Sequence, residues 1–160
     1  MELGRLDPET TANVGVIEGG TAPNVVAGIC RVEAEARGID AGRAEAVAQR
    51  MVDACTWAAG EAGCDVDLLV ETYFRGYRIK PGSRPLAAAR AGLERCGVEP
   101  REVSTGGGSD ANALRAGGFD ALLLANGTEA NHTPDESVAA TALVSMLEIC
   151  GAIVEEAPAC

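Results

Sequence analysis

Aromatic side chains are nearly missing from this sequence, making up 3% of its 160 residues. A core built without them must rest on Ala, Val, Leu and Ile, and the 47% apolar content supplies enough of these to exclude wholesale disorder. Basic residues are also few, 13 against 24 acidic ones, for a formal net charge of -11. Such a surface repels phosphate backbones and anionic lipid, and no basic patch offsets it, so no nucleic acid and no membrane is expected as a partner. No apolar run approaches the roughly 20 residues of a bilayer-spanning helix. No basic-then-apolar leader opens the sequence either. The expectation is a soluble, acidic, cytoplasmic protein of one ordinary domain or two small ones.

Soft metal ligands do not cluster. The six cysteines (Cys30, Cys55, Cys64, Cys96, Cys150 and Cys160) include no C-x-x-C pair, and His132 is the only histidine. Structural zinc needs three or four grouped ligands, so that chemistry is not written here. Small buried thiols in a reducing compartment are the expectation.

The first half reads β-β-α-β. Thr10 to Ile17 is rich in Thr and Val and runs into Gly19-Gly20, as a strand does. After the turn at Thr21-Ala22-Pro23-Asn24, Val32, Ala34 and Ala36 alternate with Arg31, Glu33, Glu35 and Arg37, predicting a strand with one buried face. Asp40 caps a helix with Ala44, Val47, Ala48, Met51, Cys55 and Ala58 at helical spacing, closed by Gly60 and Gly63. Val66 to Tyr77 then reads as a long strand. This is an α+β pattern, an antiparallel sheet covered by a helix on one side.

Lys80-Pro81-Gly82-Ser83 marks a boundary, giving domains at 1–79 and 80–160. Beyond it the order is α-β-α-β-α, a piece of α/β architecture. A helix starts near Ser83 with Pro85 in its first turn, followed by short strands at Arg101–Ser104 and Phe119–Ala125, the latter apolar enough for burial on both faces. The last helix is expected from Thr133, with Pro134 and Glu136 completing a capping box and a stripe of Ala139, Ala142, Leu143, Met146, Leu147, Cys150 and Ile153. Two strands are too narrow a sheet to stand alone, so this half reads as incomplete.

Three segments carry more specificity than a core requires. Gly19 to Asn24 is a Gly-rich turn that presents an Asn amide, able to donate and accept; the plain alternative is a wide hairpin. Thr105 to Asn112 runs through three glycines into a helix start. Its bare backbone suits an anion or a close-packed ligand, or it is a simple capped βα turn. It matches neither the P-loop nor the dinucleotide pattern. Asn126 to Thr133 leaves the carboxyl end of the buried strand, where open α/β sheets place their sites, and holds His132 just ahead of the expected helix.

Together, the run Thr11 to Val26, the loop Ser104 to Asn112 and the segment Asn131-His132-Thr133-Pro134-Asp135-Glu136 resemble the two-zinc exopeptidases, and within them the tripeptide aminopeptidases (peptidase T-like). The resemblance implies a catalytic α/β domain holding two Zn²⁺ ions and a smaller α+β lid that mediates homodimerisation. Residues 1–79 would be part of the lid, and 80–160 the C-terminal part of the catalytic domain. His132 would be a metal ligand. Asn24 and Arg37 would reach the short peptide substrate from the lid, Arg37 toward its carboxylate. Gly106, Gly107, Gly108, Ser109, Asp110 and Asn112 would form a wall of its pocket.

The family's His-x-Asp motif, its bridging Asp, its Glu-Glu pair with the general base and a further carboxylate ligand are all lacking. Glu155-Glu156, near the end of the last helix, does not replace the pair. The resemblance therefore implies one metal ligand, no catalytic base within the chain and no hydrolysis by these residues alone. A non-catalytic dimerisation or regulatory module, and an anion-binding α/β protein using the Gly-rich loop, stand as alternatives.

Overall fold

The computed structural model describes residues 1–157. The chain forms two compact units, the first made of Met1–Tyr77 with Ser104–Gly108, the second of Arg78–Val103 with the chain from Ser109 onward.

In the first unit, strands β1 (Gly4–Asp7), β2 (Thr10–Gly19) and β3 (Cys30–Gly38) form an antiparallel sheet in that order. β2 and β3 pair from Thr10↔Gly38 to Gly19↔Cys30, with a bulge between Val14 and Val16. Helix α1 (Ala41–Ala62) packs on β2 and β3. It starts where Asp40 accepts the Arg43 N–H at 2.7 Å and ends at Gly63, left-handed with φ 66°. Both are ordinary helix boundaries. The core lies where α1 meets the sheet, with Val47 and Ala12 fully buried beside Thr10.

Several expectations change here. β1 is an additional strand, too short and too irregular at its Arg5/Asp7 bulge to show alternation. Gly60 lies inside α1 rather than closing it. The apolar stripe of α1 is covered only in its first part, and Cys55 and Ala58 are exposed. The expected inner face of β3 is largely open, with Val32 45% exposed. Val66–Tyr77 forms no strand among the described residues. An extended segment becomes a strand only when a neighbour takes its backbone hydrogen bonds.

Asp7 ties β1 to α1. Its Oδ1 accepts the Glu9 N–H at 3.0 Å and its Oδ2 lies 3.6 Å from Arg43 Nε. The backbone N–H of Glu9 is the main reason its carboxyl is held below the ordinary aspartate value. A depressed folded-state pKa stabilises the fold above the unfolded value, and that contribution is lost as pH falls through the folded one. Asp7→Asn is expected to remove this dependence, so that wild type and variant converge in urea stability from about pH 4 downward. Parallel curves across that range would show that Asp7 makes no such contribution.

In the second unit, helices α2 (Arg84–Arg95), α3 (Asp110–Ala116) and α4 (Ala140–Glu156) carry the structure, and α2 packs against α4. α2 begins at Ser83 with Pro85 in its first turn, as expected. Its Ala88, Ala89 and Gly92 are buried, as are Ile149 and Ala152 of α4. The covered face of α4 is therefore rotated from the expected stripe, and Leu143, Leu147 and Cys150 are exposed. Arg101–Ser104 and Phe119–Ala125 form no strands among the described residues, and Phe119 is 67% exposed. The apolar character of 119–125 marks a surface made for burial, but no neighbouring strand within these residues covers it.

The five described cysteines are free and exposed, which corrects the expectation of buried thiols; Cys160 lies outside the described residues. No described helix is long and apolar enough to cross a membrane.

Candidate functional site: an arginine-lined cleft and a strained histidine loop

Arg37 sits near the end of β3, directly opposite Thr11 of β2. This register places it over a cleft of about 70 Å³ lined by Arg5, Glu9, Thr11, Arg37, Thr105 and Gly106. Two distant expectations, Arg37 and Gly106, thus meet in the first unit. Arg5 and Thr11 join them without having been singled out from sequence. Thr11 was not recoverable by counting back from the Gly-rich turn, which would set Ala12 across from Arg37; the bulge between Val14 and Val16 shifts the register by one and brings Thr11 there. Arg5 lies on the strand that showed no alternation.

Two arginines, two threonines, Ser104, Gly106 and one acidic residue, Glu9, line the cleft. Arg37 Nη2 bonds Glu35 Oε2 at 2.8 Å, and Arg5 Nη1 donates to the Pro8 carbonyl at 3.0 Å. Guanidinium groups suit a planar anion such as a carboxylate. Thr105 Oγ1 accepts the Gly107 N–H at 3.3 Å, bending the glycine run back on itself. A side chain at Gly108 would collide with the ring of Phe74. Asn24 lies in the exposed β2–β3 connection and does not line this cleft.

Ser109 caps α3 in the second unit. The buried Asn112, 7% exposed, accepts the Ser109 N–H on Oδ1 at 2.9 Å, while Asp110 occupies the first turn. Asn112 is thus at least partly structural, since it secures the start of a short helix.

His132 lies in a loop whose base is closed by Glu129 and Ser137. The expected helix start at Thr133 is not formed, and α4 begins at Ala140. Thr133 Oγ1 instead donates to the Ala130 carbonyl at 2.8 Å, and Glu136 takes the His132 N–H at 2.6 Å. A capping box needs Thr133 and Glu136 to accept each other's backbone N–H; here Thr133 Oγ1 accepts the Asp135 N–H at 3.3 Å, the Glu136 N–H bonds the Thr133 carbonyl at 3.1 Å, and the Glu136 carboxylate is taken by the His132 N–H.

A dinuclear zinc centre needs several carboxylate and imidazole ligands. Among the described residues no group of three or more His, Cys, Asp or Glu side chains is placed to hold a metal. His132 has the right donor chemistry for one ligand, but this chain's residues do not by themselves fit a zinc pair.

Comparison with known proteins shows what these features are similar to. Residues 2–62 match the peptidase dimerisation domain. Almost the whole chain, 98%, is 38% identical to 42% of YqjE, an uncharacterised protein of Bacillus subtilis strain 168. A succinyl-diaminopimelate desuccinylase of Cereibacter sphaeroides is 27% identical over 113 residues, 71% of this chain and 30% of that protein. The fold is similar to aminopeptidase PepT of Bacillus cereus, with a TM-score of 0.86 and 36% identity over 98% of this chain and 42% of that one. A Staphylococcus aureus tripeptidase superposes with a TM-score of 0.90 at 30% identity, over 97% of this chain and 42% of that one. Residues 2–62 thus fall in this dimerisation-domain family, and the likeness to the two solved structures supports a partial chain of such a peptidase. It spans about two-fifths of the length of the relatives it matches most fully.

Proposed function

We propose that this chain is the dimerisation and substrate-binding part of a cytoplasmic zinc-dependent hydrolase of short peptides. The observation that carries the reading is the cleft where Arg37 and Gly106 meet, in a chain 36% identical to an aminopeptidase over nearly all its length. Arg37 binds the substrate carboxylate. Asn24, Gly107 and Gly108 in the first unit, and Ser109, Asp110 and Asn112 in the second, are each assigned to substrate binding on the family resemblance. His132 supplies one ligand to a two-zinc centre, with the other ligands and the general base provided by sequence beyond these 160 residues. The metal, when bound, supplies an activated water. That further sequence also supplies the neighbours for 66–77, 101–104 and 119–125. A second copy of the chain is the homodimer partner, an assignment supported by the dimerisation-domain match and by the open edge of β3.

The test joins this chain to the portion of the B. subtilis relative that it does not cover. The chain alone is expected to hydrolyse no tripeptide, and the joined protein to do so with bound zinc. Arg37→Ala should raise KM by roughly 10- to 100-fold, as expected for losing a charged hydrogen bond. His132→Ala should abolish turnover and reduce zinc content. Retained turnover with unchanged zinc in His132→Ala would refute the ligand assignment. An inactive joined protein, with metal-independent dimerisation of the chain, would favour a non-catalytic dimerisation module, the reading that the dimerisation-domain match supports by itself.

A further inference from the structure

His132 and Ala130 are the two non-glycine residues with positive φ among those described, at 64° and 50°. An L-residue in that region brings its Cβ close to the carbonyl oxygen, so the conformation persists only where surrounding bonds impose it. The base of the loop is held by reciprocal backbone bonds between Glu129 and Ser137, at 2.9 and 3.2 Å. Its turn is held by Thr133, whose N–H and Oγ1 both donate to the Ala130 carbonyl, at 3.2 and 2.8 Å. Neither device touches the backbone N–H of His132. That group donates to Glu136 Oε2 at 2.6 Å, and an ionised acceptor makes such a bond shorter and stronger than a neutral one. Glu136 reaches back four residues from the segment that precedes α4, which begins at Ala140.

We propose that Glu136 is the positioning residue for His132: its carboxylate fixes the left-handed conformation and so sets the direction of the imidazole. The bond engages the main chain and not the ring, so Glu136 takes up neither ring nitrogen through it. The backbone role stands on geometry alone, while its consequence for a metal rests on the ligand reading of His132 given above.

Because His132 is the only histidine, its resonances form one unambiguous set in the isotopically labelled full chain. Wild type is expected to show a downfield His132 amide proton and the strong intraresidue NOE between amide and α protons that positive φ produces. Glu136→Ala should lose both and shift the ring resonances. Glu136→Gln, of equal length with a neutral acceptor, should keep the NOE with a reduced amide shift. Thr133→Ala should leave the amide downfield. An unchanged amide shift and NOE in Glu136→Ala would overturn the proposal. In the joined protein, Glu136→Ala is expected to weaken zinc binding about 10- to 100-fold, as for partners that orient a ligand, with Glu136→Gln restoring most of it. Equal losses in both variants would overturn the orienting role. Unchanged zinc in His132→Ala would instead remove the ligand reading and leave the NMR comparison to judge Glu136.

Discussion

Substituting Gly92 with valine is expected to unfold the packing of α2 on α4. Gly92 is buried in α2, and a Cβ built on it would lie 2.5 Å from Ile153 Cγ1, 2.8 Å from Ile153 N and 2.9 Å from its Cα. The side-chain atom could rotate away, but the nitrogen and Cα belong to the backbone of α4 and move only with the helix. Two effects oppose each other in Gly92→Ala. Helix propensity favours alanine by about 1 kcal/mol, whereas overpacking costs about 1–3 kcal/mol. Backbone contact leaves little room for relaxation, so a net loss of about 1 kcal/mol is expected. Valine adds two further methyls and β-branched crowding, and its cost should exceed about 3 kcal/mol, a large share of any domain's stability. Urea unfolding followed by helical circular dichroism measures both. The exposed ion pairs of Arg95 with Glu155 and Glu156 bridge the same helices, at 2.6 and 3.6 Å, and solvent screening makes Arg95→Ala the mild control. A Gly92→Ala chain as stable as wild type would show that the two backbones are not in this contact.

From sequence, Gly92 reads only as a weak point in a helix, and the reason is general to this chain. Devices within a few residues of each other were legible: Asp40 and Gly63 bound α1, Ser83 with Pro85 opens α2, and a helix starts from the Thr105–Asn112 segment. Properties that depend on a distant neighbour were not. Val66–Tyr77 and Phe119–Ala125 carry the composition of strands, yet composition records that burial is intended and not which residues provide it. The Thr133-Pro134-Asp135-Glu136 run shows that even local patterns can be outcompeted. There, the His132 N–H takes the Glu136 carboxylate and the Glu136 N–H bonds the Thr133 carbonyl, so the box does not close. The cleft was half visible: Arg37 and Gly106 were singled out, but their meeting depends on the β2–β3 register and on Ser104–Gly108 joining the first unit.

That register depends on one helix side chain, and Val47→Asp is expected to abolish it. Val47 is the largest side chain that is fully buried, and it lies on α1 where the helix packs over β2 and β3. Few other residues of the first unit are buried, chiefly Ala12 and Thr10. Trimming to alanine removes two methyl groups, at about 1–2 kcal/mol, and should only lower the urea midpoint. Aspartate brings a carboxylate into the same fully buried space, where an ion must either shed its charge or unfold its surroundings. With so small a core, the second outcome is expected at neutral pH. The pH response then runs opposite to that of Asp7. The carboxyl introduced in Val47→Asp would have its pKa raised in the folded state, so the penalty shrinks as pH falls toward the ordinary aspartate value and partial refolding follows. Amide exchange resolves the units: protection across β2 and β3 should vanish in Val47→Asp at neutral pH, while that of α2 and α4 reports the second unit separately. Arg37 would no longer be held opposite Thr11, so a joined protein carrying the substitution should lose substrate binding along with the sheet. Native protection of β2 and β3 in Val47→Asp would mean that α1 does not seal this sheet, and that the cleft is held by something other than the core beneath it.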